Sequence, residues 1–562
     1  MLGNHLSLMV AYEPLLPGPV GASLAVIDYD GHAKAYYAPV DLDDSAILLR
    51  GGLDPTESDP RFHQQMVYAV ASETLERFEV ALGRKIHWHR AKHGPNCLNL
   101  HPHAMLEANA YYSREVHGIL FGYFPARPTA DGDFLPKQTV FTCLSHDIIA
   151  HEVTHAVIDG IREHFTEPTN IDVTAFHEAF ADLAALFRHF SHQDALLDTL
   201  QRTGGRLYAP SLAADAQRPG SHANIGAEIT SDNPLVELAR QFGQVSGHSG
   251  GLRSALDRKS NANDIRTVTE PHARGAILVA AMFDAFFTTY VSRTADLFKV
   301  FRAGGGRPET DDLPGPLAQL LAERASKTAD MFFMICARAL DYCPPVDITF
   351  GDFLRALITA DSDLYPVDAH EVRDAIMQAF RRRGIVPEGA LYFSEESLRW
   401  PVASDALPAV TGLVFGDPNG LSREEKDING PLLRRYANTN AKLLGFNPEH
   451  GEIGVPSFHP MFRLGEDGVL RIDMVVELIQ TREIAFDKAG PELGTFEVHA
   501  GVTLMIASQA LSDGNRPDPI VRYVIPRYVD DERVQRQRTA YAAGAYMTKD
   551  HRIDFSLVHG AL

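Results

Sequence analysis

The chain has 562 residues, 45% of them hydrophobic and 22% charged, the proportions of a soluble globular protein large enough for two to four domains. Its 52 basic and 73 acidic residues give a formal net charge of −21, which argues against a nucleic-acid partner and against an anionic membrane surface. Met1–Val10 has neither a basic start nor a long apolar stretch. The longest apolar run, Ala276 to Phe287, is broken by Asp284. No signal peptide and no transmembrane segment are expected, and a cytoplasmic location follows. The four cysteines fit that setting. Cys336 and Cys343 lie seven apart in a helix-like segment, about 10 Å along the axis, too far for a disulfide.

In chain order, Leu24–Tyr29, a turn at Asp30-Gly31 and Ala33–Val40 read as a β-hairpin within an extension covering residues 1–60. A helix follows from about Phe62 to Leu82, with Met66, Val67, Val70, Leu75, Phe78 and Leu82 as its apolar stripe. Ser145-His146-Asp147 looks like a helix start. Helical spacing recurs at Leu235–Phe242, His272–Tyr290, Leu317–Tyr342, Phe350–Thr359 and His370–Arg382, divided by loops rich in Gly and Pro. After Val386 the pattern partly alternates, as at Val469–Leu478 and Val498–Leu504, so a separate β-rich domain is placed at 400–562.

His151-Glu152-Val153-Thr154-His155 carries the chemistry. Residues four apart share a helix face, so His151 and His155 can hold one metal ion with Glu152 one position round. The flanking Ile148, Ile149, Val153, Ala156, Val157 and Ile158 bury this helix, and its polar face then needs a purpose. Glu178 and Asp182 lie four apart in a second helix otherwise built of Ala, Phe and Leu. Two buried carboxylates without a cation would be costly, and one of them would supply a third ligand. Two His, one carboxylate and an open position describe a catalytic zinc and metal-assisted hydrolysis. The metzincin pattern is excluded, because Ile158 and Ile161 stand where it needs Gly and His.

The segment Asp147–Val157 closely resembles the active-site helix of the thermolysin-like neutral metalloproteases, and Glu178-Ala179-Phe180-Ala181-Asp182 resembles their third-ligand helix. Asn109-Ala110-Tyr111-Tyr112, Gly251-Leu252-Arg253-Ser254, Pro271–Ile277 and Phe350–Val386 match further stretches of the family in order, over residues of about 60–386. The resemblance implies that His151, His155 and Glu178 bind a single zinc ion and that Asp182 orients a ligand histidine. It implies that Glu152 is the general base, that His272 stabilises the tetrahedral intermediate and that Arg253 binds the substrate carbonyl. Asn109 and Ala110 would belong to an edge strand that pairs with substrate backbone. An apolar S1′ pocket is implied as well.

Some family features are missing. The segment from His155 to Glu178 is about three residues longer than the family's, and the substrate-polarising Tyr has no counterpart in Arg162–Thr166, where His164 is a candidate donor. His177 replaces the Asn that usually precedes the ligand Glu, and the acid partner of His272 is Glu270 or Asp264, with Glu270 nearer. At the family's double calcium site Asp147 survives, but His189, Asn224 and Ala227 replace acids, so no such site is expected.

The expected fold is α+β: a thermolysin-like two-lobed catalytic domain over 61–390, with a mixed α/β N-terminal lobe and an all-helical C-terminal lobe, plus the β-rich domain. The expected activity is that of a zinc endopeptidase acting on peptides or proteins. A zinc aminopeptidase is one alternative, although no motif for a substrate amine is present. A non-catalytic zinc-binding scaffold is the other.

Overall fold

The computed structural model describes residues 8–89, 96–126, 138–193, 196–197, 261–307, 313–416, 420–464, 470–486, 494–509 and 517–560. These form an α+β protein with two main sheets. The first holds β1 (Leu24–Val26), β4 (Leu98–Met105), β6 (Gly118–Pro125) and β5 (Ala110–Ser113) in that order, with β7 (Thr139–Phe141) on the far end of β6. β1 and β6 run parallel to β4, whereas β5 and β7 are antiparallel to β6. The N-terminal hairpin is shorter than expected, pairing only β2 (Tyr29–Asp30) with β3 (Ala35–Tyr36). Leu24–Val26 instead joins the main sheet, because all three residues are buried against the core. The expected 1–60 extension is therefore continuous with the sheet that follows it.

Helix α1 (Pro60–Leu82) begins at Asp59, whose side chain accepts from Arg61 N–H, and ends at Gly83 in a left-handed conformation. The motif helix α2 (His146–Ile161) is capped by Ser145, with Asp147 in its first turn where a negative charge suits the helix dipole. α3 (Ile171–Ser191) is buried almost all round, as a central core helix must be. It packs on α2, α4 (Pro271–Ala303) and α5 (Gly315–Ala339). Gly275 makes the α3–α4 contact possible. A Cβ there would lie 2.9 Å from Ala175 O and 3.2 Å from Ala179 N. α6 (Phe350–Leu364) and α7 (Val372–Arg382) complete this helical region.

α4 runs one turn before and several turns beyond the apolar stretch legible in sequence. By length and composition it could cross a membrane, yet 78% of the relevant window is buried inside the protein, as befits a core helix. The four cysteines are free thiols. The expected helix at 235–242 lies outside the described residues.

The second sheet is antiparallel, in the order β11 (Ile520–Arg527), β10 (Thr495–Ala507), β9 (Leu470–Ala485), β8 (Gly454–Leu464). It is flanked in sequence by α8 (Arg423–Thr439) and α9 (Asp531–Ala543). Its inner residues Val476, Leu478, Val502, Leu504 and Ile506 form their own core with Leu433 and Ala437 of α8. Its other face joins the main core through Met461, Val475, Met505, Tyr523 and Ile525.

Ion pairs tie this region to α6 and to the loop before it. Asp347 meets Arg533 and Arg536 at 2.9 Å each, and Asp363 meets Arg522. Arg162, just past the end of α2, is fully buried. It donates to Leu340 O at 2.6 and 2.9 Å and to Glu477 Oε1 on β9 at 2.6 Å. A cation there complements the helix C-terminus that it follows.

Candidate metal centre

α2 and α3 bring the motif residues together. His151, Glu152, His155 and Glu178 are all buried, and the two imidazoles share one face of α2. His151 Nε2 and His155 Nε2 lie 3.0 Å apart, and Glu178 reaches them at 3.5 Å and 3.7 Å. Bond lengths of about 2.0–2.1 Å to a tetrahedral zinc imply ligand atoms about 3.3 Å from one another. The His–His separation is shorter than that value and the two Glu178 separations, one through each carboxylate oxygen, are longer, so the donor set could hold a metal ion.

Each imidazole is backed by a different group. Asp182 Oδ1 lies 3.0 Å from His151 Nδ1, while His177 Nδ1 lies 3.3 Å from His155 Nδ1. A hydrogen bond at Nδ1 turns the Nε2 lone pair toward the centre. The two backings have opposite electrostatic effects. Burial lowers the pKa of His151 most, but Asp182 and Glu178 together outweigh it and hold the group well above 6.5. His155 has no carboxylate behind it, and burial carries its pKa well below 6.5 despite Glu178. Burial also lowers His177, to about 4, so this ring is neutral. Glu178 stays well below the usual carboxylate range, because His559, His272 and His155 overcome its burial.

Glu152 sits beside the pair rather than between them. Its Oε2 accepts from the backbone N–H of Tyr112 on β5 at 2.9 Å, and the Tyr112 hydroxyl donates to Asp159 on the next turns of α2 at 2.8 Å. β5 is thereby pinned along α2. Burial raises the Glu152 pKa, although His559 and His151 oppose it.

His272, in the first turn of α4, places Nε2 3.3 Å from Glu178 Oε2. Of the two acids considered for it, Glu270 is the one in contact, at 3.1 Å from Nδ1. Glu270 also caps α4 by accepting from His272 N–H and Ala273 N–H. Burial would lower the His272 pKa, but Glu178 and Glu270 push it up to about 10.

Other residues singled out in sequence are placed as follows. Ala110 begins β5 and Asn109 precedes it, at the end of the strand order. Arg253, Asn224 and Ala227 lie outside the described residues. His164 is held by Glu167 at 2.8 Å and packs on the ring of His499 of β10, its centroid 4.6 Å away. Asp147 lies between two imidazoles, His146 at 3.3 Å and His189 at 3.4 Å.

Sequence reasoning missed one residue of the centre. His559, on α10 (Phe555–Gly560), brings Nε2 to 3.3 Å from Glu178 Oε2, and His151, His155, Glu178 and His559 together offer four ligand atoms within 4.8 Å of one another. No local pattern around Val558-His559-Gly560 signals this, since Glu178 is 381 residues away. No protein-family model and no curated protein sequence matches this chain, so a functional reading rests on the geometry of the centre.

Proposed function

We propose that the protein is a zinc-dependent endopeptidase with a thermolysin-like, two-lobed catalytic region spanning the first sheet and the helices α1–α7. The observation that carries the reading is the convergence of His151, His155 and Glu178 with Glu152 beside them. Bound by those three residues, zinc would supply Lewis-acid polarisation of a substrate carbonyl and acidification of water. The remaining steps belong to the protein. Glu152 takes the proton of the attacking water and delivers it to the leaving amine, a role suited to a carboxylate whose pKa burial has raised. His272, with Glu270 3.1 Å from its Nδ1, would donate from Nε2 to the developing oxyanion. β5 is the last strand of its sheet, and its outer edge would offer backbone groups to an extended peptide once α10 leaves it.

One observation favours a second reading, a metal-holding scaffold without catalysis: His559 stands in the fourth corner of the donor set. Hydrolysis of an N-acetylated, internally quenched peptide by the zinc-loaded chain decides among the readings. The test compares the wild type with Glu152→Gln, each with and without His559→Ala. Cleavage that needs Glu152 supports an endopeptidase and excludes an aminopeptidase. Equal inactivity of all four zinc-bound proteins would leave the scaffold reading.

A further inference from the structure

α10 lies along β5, at the strand edge proposed to receive substrate. His559 Nδ1 donates to the carbonyl of Ala110 at 2.8 Å, and Asn109 Nδ2 donates to Ser556 O at 3.5 Å. The first of these bonds puts a proton on Nδ1, which leaves Nε2 as the ring nitrogen that can serve a metal ion. A backbone carbonyl behind one ring nitrogen is the usual support of a metal-bound histidine. Nε2 then stands 3.3 Å from Glu178 Oε2, a tetrahedral ligand–ligand spacing, and the His559 ring centroid is 5.5 Å from those of both His151 and His155.

The segment is fastened just before α10. Ile553 N–H donates to Thr166 O at 2.7 Å, and Arg552 reaches Glu163 O, Thr166 Oγ1 and Glu167 at 3.0 Å each. Phe555 packs its ring 4.3 Å from that of His155, and Val558 is also buried.

The geometry points to His559 as the fourth protein ligand of the metal centre, with α10 covering the substrate edge of β5, so that the chain as folded is a latent, closed form. This rests on the peptidase reading above for its consequence, but the ligation itself does not. Zinc sites with four protein ligands are closed, whereas catalytic ones keep a position for water or substrate. Only a six-residue helix has to leave for the one to become the other.

The test uses the full chain loaded with Co2+ in place of zinc, as wild type, His559→Ala and Val558→Asp, the last displacing α10 while keeping the imidazole. In the wild type the cobalt absorption spectrum stays constant through neutral pH. Both variants gain an acid–base transition near neutrality, as expected of a position returned to solvent. Loss of zinc to a chelator is about tenfold or more faster in both, and cleavage of a quenched peptide rises by at least a comparable factor. A wild-type spectrum that titrates like those of both variants, with equal chelator rates, overturns the inference. So does a chain that takes up no cobalt, which removes the metal reading as well. Variants that gain the spectral transition without cleaving peptide establish the fourth ligand while refuting the peptidase reading.

Discussion

Replacing Arg162 with Met removes a guanidinium that has no solvent exposure and makes four hydrogen bonds. Two go to Leu340 O, one to Glu477 Oε1 and a longer one, at 3.3 Å, to Thr503 Oγ1. The Met side chain fills similar volume, so the main loss is electrostatic: Glu477, 5% exposed, keeps a buried charge without its partner. Breaking such a pair costs about 3–5 kcal/mol, while replacing both partners with apolar residues is often neutral or stabilising. Arg162→Met should therefore destabilise the protein by about 3–5 kcal/mol, and adding Glu477→Leu should restore most of that. The pH dependence has a definite sign. Burial already raises the Glu477 pKa against the pull of Arg162, and removing Arg162 raises it further. A carboxyl with a raised folded-state pKa loses stability as pH rises through that value, so the cost of Arg162→Met is smallest in acid and grows toward neutral pH. Urea unfolding of the four proteins of the double-mutant cycle, followed by circular dichroism at several pH values, measures both effects. A single-mutant cost below about 1 kcal/mol, or no rescue by Glu477→Leu, would refute the account.

Three further outcomes are expected. Asp182→Asn weakens support of His151 Nδ1, so zinc affinity measured by competition with a chelator falls about 10–100-fold without loss of fold. His164 has a pKa raised above 6.5, because the hydrogen bond and charge of Glu167 outweigh its burial. It therefore contributes stability below 6.5 that fades as pH rises through its folded value. In Glu167→Gln, burial remains without the carboxylate, so the His164 titration followed by NMR moves below 6.5 and the slope changes sign, stability rising with pH. Gly275→Val drives a side chain into Ala175 O and Ala179, and overpacking of this kind costs about 1–3 kcal/mol in thermal or urea unfolding. It also moves His272, one turn earlier, off Glu178.

How much of this was legible in the sequence depended on distance along the chain. His151, His155 and Glu152 follow from a four-residue period on one helix, and Glu178 and Asp182 from the same period on the next. Glu270 could be named as the partner of His272 because an N-cap acid two residues away is a local arrangement. The first sheet was largely hidden. Leu24–Tyr29 read as a strand, but its partner β4 lies more than 70 residues away and pairs in parallel, which no local pattern shows. Arg162 gave no signal, since a charged residue after a helix is ordinarily solvated, and its partners on β9 and β10 are more than 300 residues away. His559 was illegible for the same reason. Its neighbours in space are Ala110, 449 residues distant, and Glu178.

That separation also orders events during synthesis. Glu178 leaves the ribosome 381 residues ahead of His559, which at about 5–20 residues per second is roughly 20–75 s. Throughout that interval the nascent chain already carries His151, His155 and Glu178 but not the imidazole that completes the set. If the set holds a metal as proposed, its first three ligands are made well before the residue that would close it. A chain clipped just before Phe555 would carry His151, His155 and Glu178 without His559.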